Sequence, residues 1–457
     1  MQSDWPFMTI GTLVERGDAR LQTGPFGSQL HKSDYVDAGI PIIPTEAIGR
    51  GVVLDDVSLP QISEAKATEL SRHRLRAGDI LFARRGIQAT GLSAIVGAKH
   101  IDALCGTGAI LLRVNSDVIV PQFLAAYLAT DVARTWLRAH AVGAVMPNLN
   151  AGIIGQLRVP LPDISVQREI ASLAFALDAR IRLLRETSAT LESIAKSIFK
   201  SWFIDFGPVH AKAEGLEPDG MDAETSALFP DAFEDSALGN IPKGWAVGTL
   251  AEHAFAERGL SYKGAGLCAF GEGVPMHNLN SVLEGGDYKY LGIKHYRGDY
   301  KERHIAVAGD IIVANTEQGH NHRLIGFPAV VPTRYGKAIF SHHIYRVRTK
   351  PDSPLTKHTL YYMLMAPSVR EQVIGCANGS TVNMLKVAGL EIPRFVCPSA
   401  EIARAFESRA AIFRAQIETN VERAETLAAL RDTLLPRLIS GKLCLPDAES
   451  QVNKAAA

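Results

Sequence analysis

Apolar residues recur at steps of three, four or seven along two long stretches of the chain. The first stretch begins near Asp163 or Ser165, either of which can cap a helix N-terminus, and it runs to about Phe203. The second begins after Ser399 and ends at Gly441, a suitable C-cap. Both stretches predict helices of about 40 residues, roughly 55–60 Å long. Their apolar stripes consist of Ile170, Leu173, Leu177, Ile181, Leu184, Leu191, Ile194 and Ile198 in the first helix, and Ile402, Phe406, Ala410, Phe413, Ile417, Val421, Leu427, Leu430, Leu434 and Leu438 in the second.

Each predicted helix carries a single apolar seam, and a helix of this length needs a partner to bury that seam. We therefore predict that the two helices pair with each other as an antiparallel coiled coil. The alternative is two separate helices, each buried against its own domain.

The two halves of the chain repeat one another. Within the helices, Ile181 aligns with Ile417 and Ile198 with Leu434 at one constant offset. Each globular region contains short segments of strand character between Gly and Pro turns, and one predicted helix, near 121–140 or near 354–374. The landmarks that the globular regions share are Gly39–Ile42 with Gly273–Met276, Gly78–Ala83 with Gly309–Ala314, and Gly143, Asn148 and Leu149 with Gly379, Asn383 and Met384.

The predicted fold class is α+β, with two mixed strand and helix domains separated by the coiled coil and related by a pseudo-two-fold axis. A segment rich in Pro, Gly and acidic residues lacks periodicity and predicts an exposed linker, and the last residues predict a frayed tail. The predicted boundaries are 1–158 for the first globular domain, 159–206 for the first helical region, 207–240 for the linker, 241–392 for the second globular domain, 393–443 for the second helical region and 444–457 for the tail.

The net charge of zero hides an uneven distribution along the chain. Residues 207–240 hold one Lys against eight Asp and Glu, whereas residues 241–392 hold 17 Lys and Arg against 12 Asp and Glu. Residues 1–158 are nearly neutral, with 15 basic against 14 acidic side chains. The charge therefore permits nucleic-acid binding by both globular regions and favours it only in the second.

Neither a membrane-spanning segment nor a secretory signal is expected from the sequence. The five cysteines are scattered and form no CxxC pair, which argues against a disulfide framework or a structural zinc site. We expect a cytoplasmic protein.

Motifs for reaction chemistry are missing from the sequence. No Pro-Pro is present, as an amine methyltransferase loop would require, and Gly27–Ser33 lacks the second glycine of a phosphate-binding loop. The pairs His320/His322 and His342/His343 are close together, but no Cys or carboxylate completes a tetrahedral set around them. We therefore predict no catalytic residue, no metal site and no cofactor in this chain.

The loops that follow the two matched Gly-Asp strands contain side chains suited to reading bases. Arg pairs with guanine, and Asn or Gln with adenine, whereas lysines more often contact phosphates. The alternative is a solvated turn, and Asn148 and Asn383 are equally well explained as residues that hold backbone turns. The candidate DNA-binding residues are Ser28, Gln29, Lys32, Thr45, Arg84, Arg85, Gln88 and Thr90 in the first region, and Tyr262, Lys263, Asn278, Asn315, Thr316, Gln318, His320, Asn321, His322 and Arg323 in the second.

The chain resembles the specificity subunits of type I restriction-modification systems. The resemblance is carried by the two Gly-Asp-Ile strands, the order of segments, and four runs of sequence: Gly24–Leu30, Leu238–Trp245, Ala195–Phe203 and Leu430–Leu438. It implies two target-recognition domains, two central helical regions and no catalytic residue. It also implies assembly with two modification subunits that methylate adenine using S-adenosylmethionine, and with two restriction subunits that use ATP and Mg²⁺. Trp202, Phe203 and Phe206 are candidate docking residues for the modification subunits, or else they cap the coiled coil.

These observations predict a protein that recognises a bipartite, asymmetric site in double-stranded DNA. The paired helices would set the length of an unread spacer between two unrelated half-sites. Two alternatives stay open, namely a coiled-coil scaffold whose two heads bind proteins, and a self-sufficient nuclease or methyltransferase.

Overall fold

Two compact units make up the chain. Unit 1 is built from two separate segments, and unit 2 is the continuous segment between them. The computed structural model describes residues 5–54, 57–143, 145–319, 321–379 and 382–456. Unit 1 comprises residues 1–185 and 422–457, and unit 2 comprises residues 186–421. Both boundaries fall inside the two long helices, so each unit contains the beginning of one long helix and the end of the other.

The globular part of unit 1 combines a five-stranded sheet of order β2-β10-β7-β8-β5, a four-stranded sheet of order β3-β6-β4-β9 and the pair β1-β11. Its strands are β1 Phe7–Thr9, β2 Ala19–Thr23, β3 Tyr35–Val36, β4 Ile40–Ile43, β5 Gly51–Val52, β6 Gln61–Ile62, β7 Ile80–Ala83, β8 Ser93–Ile95, β9 Leu104–Cys105, β10 Ala109–Val114 and β11 Arg158–Pro160. Its α-helices are α1 Ile10–Glu15, α2 Glu64–Glu69, α3 Pro121–Leu128, α4 Asp131–His140 and α5 Ala151–Gln156.

The globular part of unit 2 repeats this plan. Its two larger sheets have the orders β15-β24-β20-β22 and β16-β18-β17-β23-β19, and smaller sheets are β21-β26-β25, β14-β27 and β12-β13. The elements from α6 to α12 are α6 Ile164–Phe203, α7 Gly207–Ala213, α8 Ala223–Ala227, β12 Phe233–Ser236, β13 Gly239–Pro242, β14 Ala246–Thr249, α9 Leu250–His253, β15 Ala254–Arg258, β16 Leu267–Cys268, β17 Val274–His277, β18 Lys294–Tyr296, β19 Ile305–Val307, β20 Ile311–Ala314, β21 Thr316–Gln318, β22 Pro328–Val330, β23 Lys337–Phe340, β24 Ile344–Thr349, α10 Lys357–Met365, α11 Pro367–Gly375, β25 Ala377–Asn378, β26 Val382–Leu385 and α12 Val387–Glu391. The chain ends with β27 Arg394–Cys397, α13 Ala400–Ile439 and α14 Leu445–Ala456.

The matched Gly-Asp strands are β7 and β20, and both are buried on both faces. Ile80 and Phe82 of β7 pack in one core and Leu81 and Ala83 in another, because successive side chains of a strand point to opposite faces. Strand β20 divides its side chains between two cores in the same way. Because both faces of each strand are covered by a core, all four residues of the strand are apolar.

The aspartate that precedes each of these strands holds an arginine on the neighbouring strand. Asp79 accepts from Arg113 Nε and Nη2 at 2.7 and 2.6 Å, and from the backbone N–H of Arg76. Asp310 makes the same pair with Arg348, at 2.5 and 2.6 Å. These bonds raise the pKa of both arginines. The Gly-Asp landmark is thus a buried ion pair that both repeats share.

The long helices pack against each other within each unit, and they run antiparallel there. In unit 1, Leu177 and Ile181 of α6 share a core with Leu427 of α13, and Arg431 of α13 pairs with Asp178 of α6 at 2.5 Å. The residues around Ile170, earlier in α6, pack with those around Leu434, later in α13. In unit 2, Glu192 lies opposite Arg414, and Phe199 packs edge-on against Phe406. The prediction of separate helices is therefore wrong.

The predicted seam of α6 departs from the structure in its second half. Ile194 is 41% exposed, whereas Glu192, Ala195 and Phe199 are buried. The prediction assigned only apolar residues to the seam. The structure places the carboxylate of Glu192 there, and Arg414 of α13 neutralises its charge. In α13 the predicted stripe residues are buried or partly buried.

The predicted exposed linker folds onto unit 2 instead. Val209 and Phe229 are buried in the unit 2 core, and Lys212 Nζ donates to the backbone carbonyl oxygen of Ser226. Asp222 caps α8 and also pairs with Arg409 of α13 at 2.6 Å. The acidic composition suggested solvation, but a few apolar residues and specific ion pairs suffice to fix the segment.

The predicted frayed tail is also wrong. Residues Leu445–Ala456 form helix α14, and Ala448 is buried in the main core of unit 1. No helix in the described part of the chain has the length and apolar character required to cross a bilayer.

Candidate nucleic-acid interface

A group of loops meets at one end of the five-stranded sheet of unit 1, and we call it the first loop cluster. It contains Gly24, Thr45, Arg84–Thr90 and Gly106–Gly108. The backbone N–H of Arg84 donates to the carbonyl oxygen of Gly108 at 2.9 Å, and that of Gly106 donates to Ile43 at 3.1 Å. The β4, β7 and β10 strand ends therefore place these loops side by side.

Glycines are needed at the centre of the first loop cluster. A Cβ on Gly24 would lie 2.0 Å from the carbonyl oxygen of Gly106. A Cβ on Gly108 would lie 2.0 Å from Thr45 Oγ1 and 3.7 Å from Arg85 Nε. These distances bring Thr45 and Arg85 to the same side of the Gly108 backbone, although they are far apart in sequence.

The Arg84–Thr90 loop is held from both ends. Arg84 Nε donates to Asn148 Oδ1 at 3.1 Å, and Thr90 Oγ1 donates to the carbonyl oxygens of Gly86 and Pro147. Arg85 and Gln88, between these anchors, are exposed. The loop therefore presents those two polar side chains on a fixed backbone.

Unit 2 has the equivalent second loop cluster, which we define as residues 259–262, Asn278, residues 315–319 and 321–323, and residues 341–343. The backbone N–H of Asn315 donates to His343 at 3.1 Å, as Arg84 does to Gly108 in unit 1. The N–H of Ser341 likewise donates to His277 at 2.9 Å, as Gly106 does to Ile43. The two clusters share a backbone framework.

The side chains of the two clusters differ sharply. The positions of Gly106 and Gly108 in unit 1 correspond to Ser341 and His343 in unit 2, where the rings of His342 and His343 contact each other at a tilt of 40°, with centroids 3.9 Å apart. Burial and the nearby His342, Lys294 and Arg258 lower the pKa of His343, so its imidazole is neutral near pH 7. The first cluster is open and cationic, whereas the second is filled by aromatic rings.

A carboxylate shapes the loop of the second cluster. The Glu317 carboxylate accepts the backbone N–H groups of Arg323, Leu324 and Ile325, at 2.9, 3.2 and 3.1 Å. Three backbone donors on one buried carboxylate fix the path of the loop. Gln318, Asn321 and Arg323 are exposed along it.

The structure places the predicted DNA-binding residues in three groups. The exposed side chains, whose role in DNA binding stays a prediction, are Ser28, Lys32, Arg85, Gln88, Lys263, Gln318, Asn321 and Arg323. The half-buried ones are Gln29, Thr45, Arg84, Tyr262 and His322. The buried ones are Thr90, Asn278, Asn315 and Thr316. His320 lies outside the described residues.

The buried candidates bond within the fold, so they support the loops and offer no free edge to a base. Asn315 Nδ2 donates to the carbonyl oxygen of His342 at 3.0 Å, and Asn278 Oδ1 caps the short turn that follows it. Thr316 Oγ1 lies 3.3 Å from His343 Nδ1. Their burial and these bonds favour a supporting role in the loops over direct base reading.

One repeat landmark is shifted by a residue. Arg85 forms a backbone bridge with Asn148, and the equivalent Thr316 pairs with Met384, so Asn148 corresponds to Met384 rather than to Asn383. Asn383 Nδ2 donates to the carbonyl oxygen of Gly319 at 2.7 Å, which is the turn-holding role left open for it.

Trp202 and Phe203 are buried in the core of unit 2. Trp202 packs edge-on against Phe229, and Phe203 against Phe406, while the half-buried Phe206 packs against Trp245. Their burial supports the structural alternative over a docking surface on these rings.

A basic and aromatic surface on unit 2 was missed in the sequence. Lys294, Arg297, Lys301 and Arg303 are exposed around β18 and the turn after it, and Phe270 is exposed beside His295. Lys294 Nζ donates to the hydroxyl of Tyr262 at 3.2 Å and lies over its ring. The signal was present, because Lys, Arg and Tyr alternate densely between residues 288 and 303.

The described residues hold no group of three or more His, Cys, Asp or Glu side chains arranged to bind a metal ion. His342 and His343 instead bond to the loops, through the carbonyl oxygen of Leu260 and the hydroxyl of Thr316.

The comparison with known proteins agrees with this arrangement. A family model described as the type I restriction modification DNA specificity domain matches residues 3–193. The type I restriction enzyme HindI specificity subunit of Haemophilus influenzae is 23% identical over 82% of this chain and 88% of its own length. The MjaIX specificity subunit of Methanocaldococcus jannaschii is 24% identical over 72% of this chain and 71% of its own.

A solved structure shows the same fold along almost the whole chain. The type I restriction-modification S subunit from M. genitalium superposes with a TM-score of 0.57 at 14% identity, covering 95% of this chain and 96% of that one. Residues 3–193 thus match the type I restriction modification DNA specificity domain, and over most of its length the chain is similar to type I restriction enzyme specificity subunits. The solved S subunit shares its fold.

Proposed function

We propose that this chain reads a bipartite, asymmetric site in double-stranded DNA, with one half-site for each loop cluster. The observation that carries the proposal is the pair of equivalent backbone frameworks bearing different side chains, an open cationic set in unit 1 and an aromatic set in unit 2. A duplicated backbone framework whose loops carry different side chains is suited to the recognition of two unrelated half-site sequences.

The exposed side chains of each cluster are the proposed readers. Arg85 and Gln88 are suited to guanine and adenine edges in the major groove, and Gln318, Asn321 and Arg323 to the second half-site. Lys294, Arg297 and Arg303 are proposed phosphate contacts, because they are exposed basic side chains and Lys294 lies over the ring of Tyr262 in the second cluster.

The long helices are proposed to set the spacer. As an antiparallel coiled coil with a pseudo-two-fold axis, they would hold the two target-recognition domains apart by more than one turn of B-DNA, about 34 Å. The length of the unread spacer then follows from the helix length and not from any base contact.

We further propose that the chain docks two modification subunits and two restriction subunits. In this proposal those partners supply S-adenosylmethionine chemistry and ATP- and Mg²⁺-dependent chemistry, and this chain supplies only sequence recognition. The support is the match of residues 3–193 to the type I specificity domain and the similarity to type I restriction enzyme specificity subunits.

Methylation mapping tests the proposal directly. The chain is co-expressed with its modification subunit in a methylation-free host, and methyladenine is located by sequencing. A single two-part motif with an unread spacer is expected. A continuous motif, or methylation without sequence preference, would contradict it.

A matched pair of insertions tests the spacer role. Adding four residues after Arg185 in α6 and after Val421 in α13 lengthens both helices by about 6 Å and moves the proposed half-sites apart by nearly two base pairs. The same four residues after Gly215, in an exposed turn, serve as the control. We expect unchanged half-site letters with a longer spacer only for the helix insertion. Changed half-site bases with a constant spacer would refute the idea that helix length sets the spacer.

The protein-binding scaffold remains the alternative function. Affinity of the methyltransferase complex for duplex DNA should fall steeply as salt rises if phosphates are bound. A flat salt dependence would favour the scaffold.

A further inference from the structure

A short hairpin beside the first loop cluster exposes an unusual amount of apolar surface. The backbones of Val142 and Asn148 donate to each other at 3.0 and 2.9 Å, and we call the described residues 142, 143 and 145–148 the 142–148 hairpin. Beyond that closure Val145 is 86% exposed and Met146 60% exposed, and Val142 is exposed as well. Isolated exposed apolar residues are ordinary, but a concentration at one tip marks a binding surface.

The hairpin is fixed to the proposed base-reading loop at three points. Asn148 pairs with Arg85 through the backbone and accepts from Arg84 Nε at 3.1 Å. Thr90 Oγ1 donates to the Pro147 carbonyl oxygen at 3.0 Å. The apolar tip therefore moves with Arg85 and has a rigid base, although the tip itself packs on nothing that buries it.

The equivalent turn of unit 2 starts in a related way. The equivalent turn of unit 2 begins at Asn378-Gly379 and continues in the sequence with Ser380 and Thr381, which lie outside the described residues. Gly143 and Gly379 both have positive φ, 112° and 147°, so the two turns start alike. Val382, which corresponds to Met146, is 45% exposed, so both repeats expose an apolar side chain at this position.

We propose that the 142–148 hairpin is an apolar wedge that inserts Val145 and Met146 between base pairs of the first half-site. Apolar side chains such as Met act in this way in DNA-bending proteins, where partial unstacking exchanges base stacking for protein contact. Duplex DNA is the occupant because the hairpin shares its base with the cationic loop of Arg84 and Arg85. This proposal rests on the proposed function and identifies how unit 1 distorts its half-site.

The test uses the full chain in complex with its modification subunit and a duplex carrying the mapped site. A 2-aminopurine at each position of the first half-site reports unstacking by a rise in fluorescence. We expect the wild-type complex to raise the signal at one step, and Val145→Ser with Met146→Ser to abolish the rise and weaken binding about tenfold or more, since two apolar side chains lose their burial.

Two controls separate the wedge from other causes. Leu216→Ser removes an equally exposed apolar residue from the segment after α7 and should change nothing. Val145→Leu with Met146→Leu keeps the apolar tip and should retain the fluorescence rise. The salt dependence of binding should match the wild type in every variant, because no charge changes.

Three results would overturn the wedge. Unchanged fluorescence and affinity in the serine variant would show that the tip does not touch DNA. Weaker assembly of that variant with the modification subunit, with normal DNA binding by the complex that does form, would make the tip a protein contact. Absence of sequence-specific binding by the wild type would overturn the proposed function as well, which distinguishes the two failures.

Discussion

Replacing Arg414 by methionine should destabilise unit 2 far more than replacing a neighbouring arginine on the same helix. Arg414 is 5% exposed, and its guanidinium pairs with Glu192 at 3.1 Å and with Asp287 at 2.9 Å. Burial alone would lower its pKa, but the carboxylates of Asp287 and Glu192 and the nearby Tyr361 outweigh burial and raise that pKa above its ordinary value. Arg414 is therefore always charged, and it joins α13, α6 and the loop that carries Asp287.

The magnitude follows from what the substitution leaves behind. Glu192 would remain buried beside Tyr362, whose hydroxyl donates to it at 3.0 Å, with only Lys196 as a more distant cation. Breaking a buried pair by removing one partner costs about 3–5 kcal/mol. Arg404→Met is the control, because Arg404 and its partner Glu401 are both largely exposed, and such a pair contributes about 0–1 kcal/mol.

Urea unfolding followed by tryptophan fluorescence measures the difference. In a background with Trp5→Phe and Trp136→Phe, the remaining Trp202 and Trp245 both report on the core of unit 2. Adding Glu192→Met to Arg414→Met should restore part of the loss, since the pair is then replaced by apolar contact. If Arg414→Met shifts the midpoint no more than Arg404→Met, the buried network does not stabilise unit 2 and the reasoning fails.

Three further perturbations have defined outcomes. Burial lowers the pKa of His277 to about 3, so between pH 6.5 and 3 only the unfolded chain holds the proton, and the folded state loses stability as pH falls. Unit 2 should lose about 2 kcal/mol of unfolding free energy from this group between pH 7 and 5. A His277→Gln variant whose urea midpoint drops as steeply over that range would contradict this. Gly24→Ala should cost about 1–3 kcal/mol and disorder the first loop cluster in hydrogen exchange, whereas Gly27→Ala, where a Cβ meets nothing within 4 Å, should be neutral; equal effects would refute the clash. Asp79→Asn should cost about 2–3 kcal/mol of unit 1 stability, because the charge-assisted bonds to Arg113 are lost, and an unchanged thermal midpoint would show the pair to be dispensable.

The sequence predicted the elements that repeat and missed those that depend on one partner. Periodicity located α6 and α13 to within a residue or two, because a long apolar seam is a strong signal. It misplaced the seam around Ile194, because the compensating charge on Arg414 is distant in sequence. The segment from 207 to 240 appeared solvated, because its composition is acidic and its few core residues, such as Phe229, are widely spaced.

The candidate site shows the same limit. The Gly-Asp strands identified both loop clusters, because a buried strand with an ion pair at its start is required twice. Which loop residues are exposed could not be predicted, since Asn315 and Asn321 are the same residue type and only the fold buries the first. The contact between the rings of His342 and His343 depends on loops that meet only in three dimensions.

The discontinuity of unit 1 has a consequence for the chain as it leaves the ribosome. Leu177 and Ile181 emerge early, but the helix that covers them, around Ala424 and Leu427, is made only after residues 186–421. At about 5–20 residues per second, the delay is on the order of tens of seconds. Throughout that interval the nascent protein exposes the apolar face of α6, which makes it a natural client for chaperones and vulnerable to premature self-association.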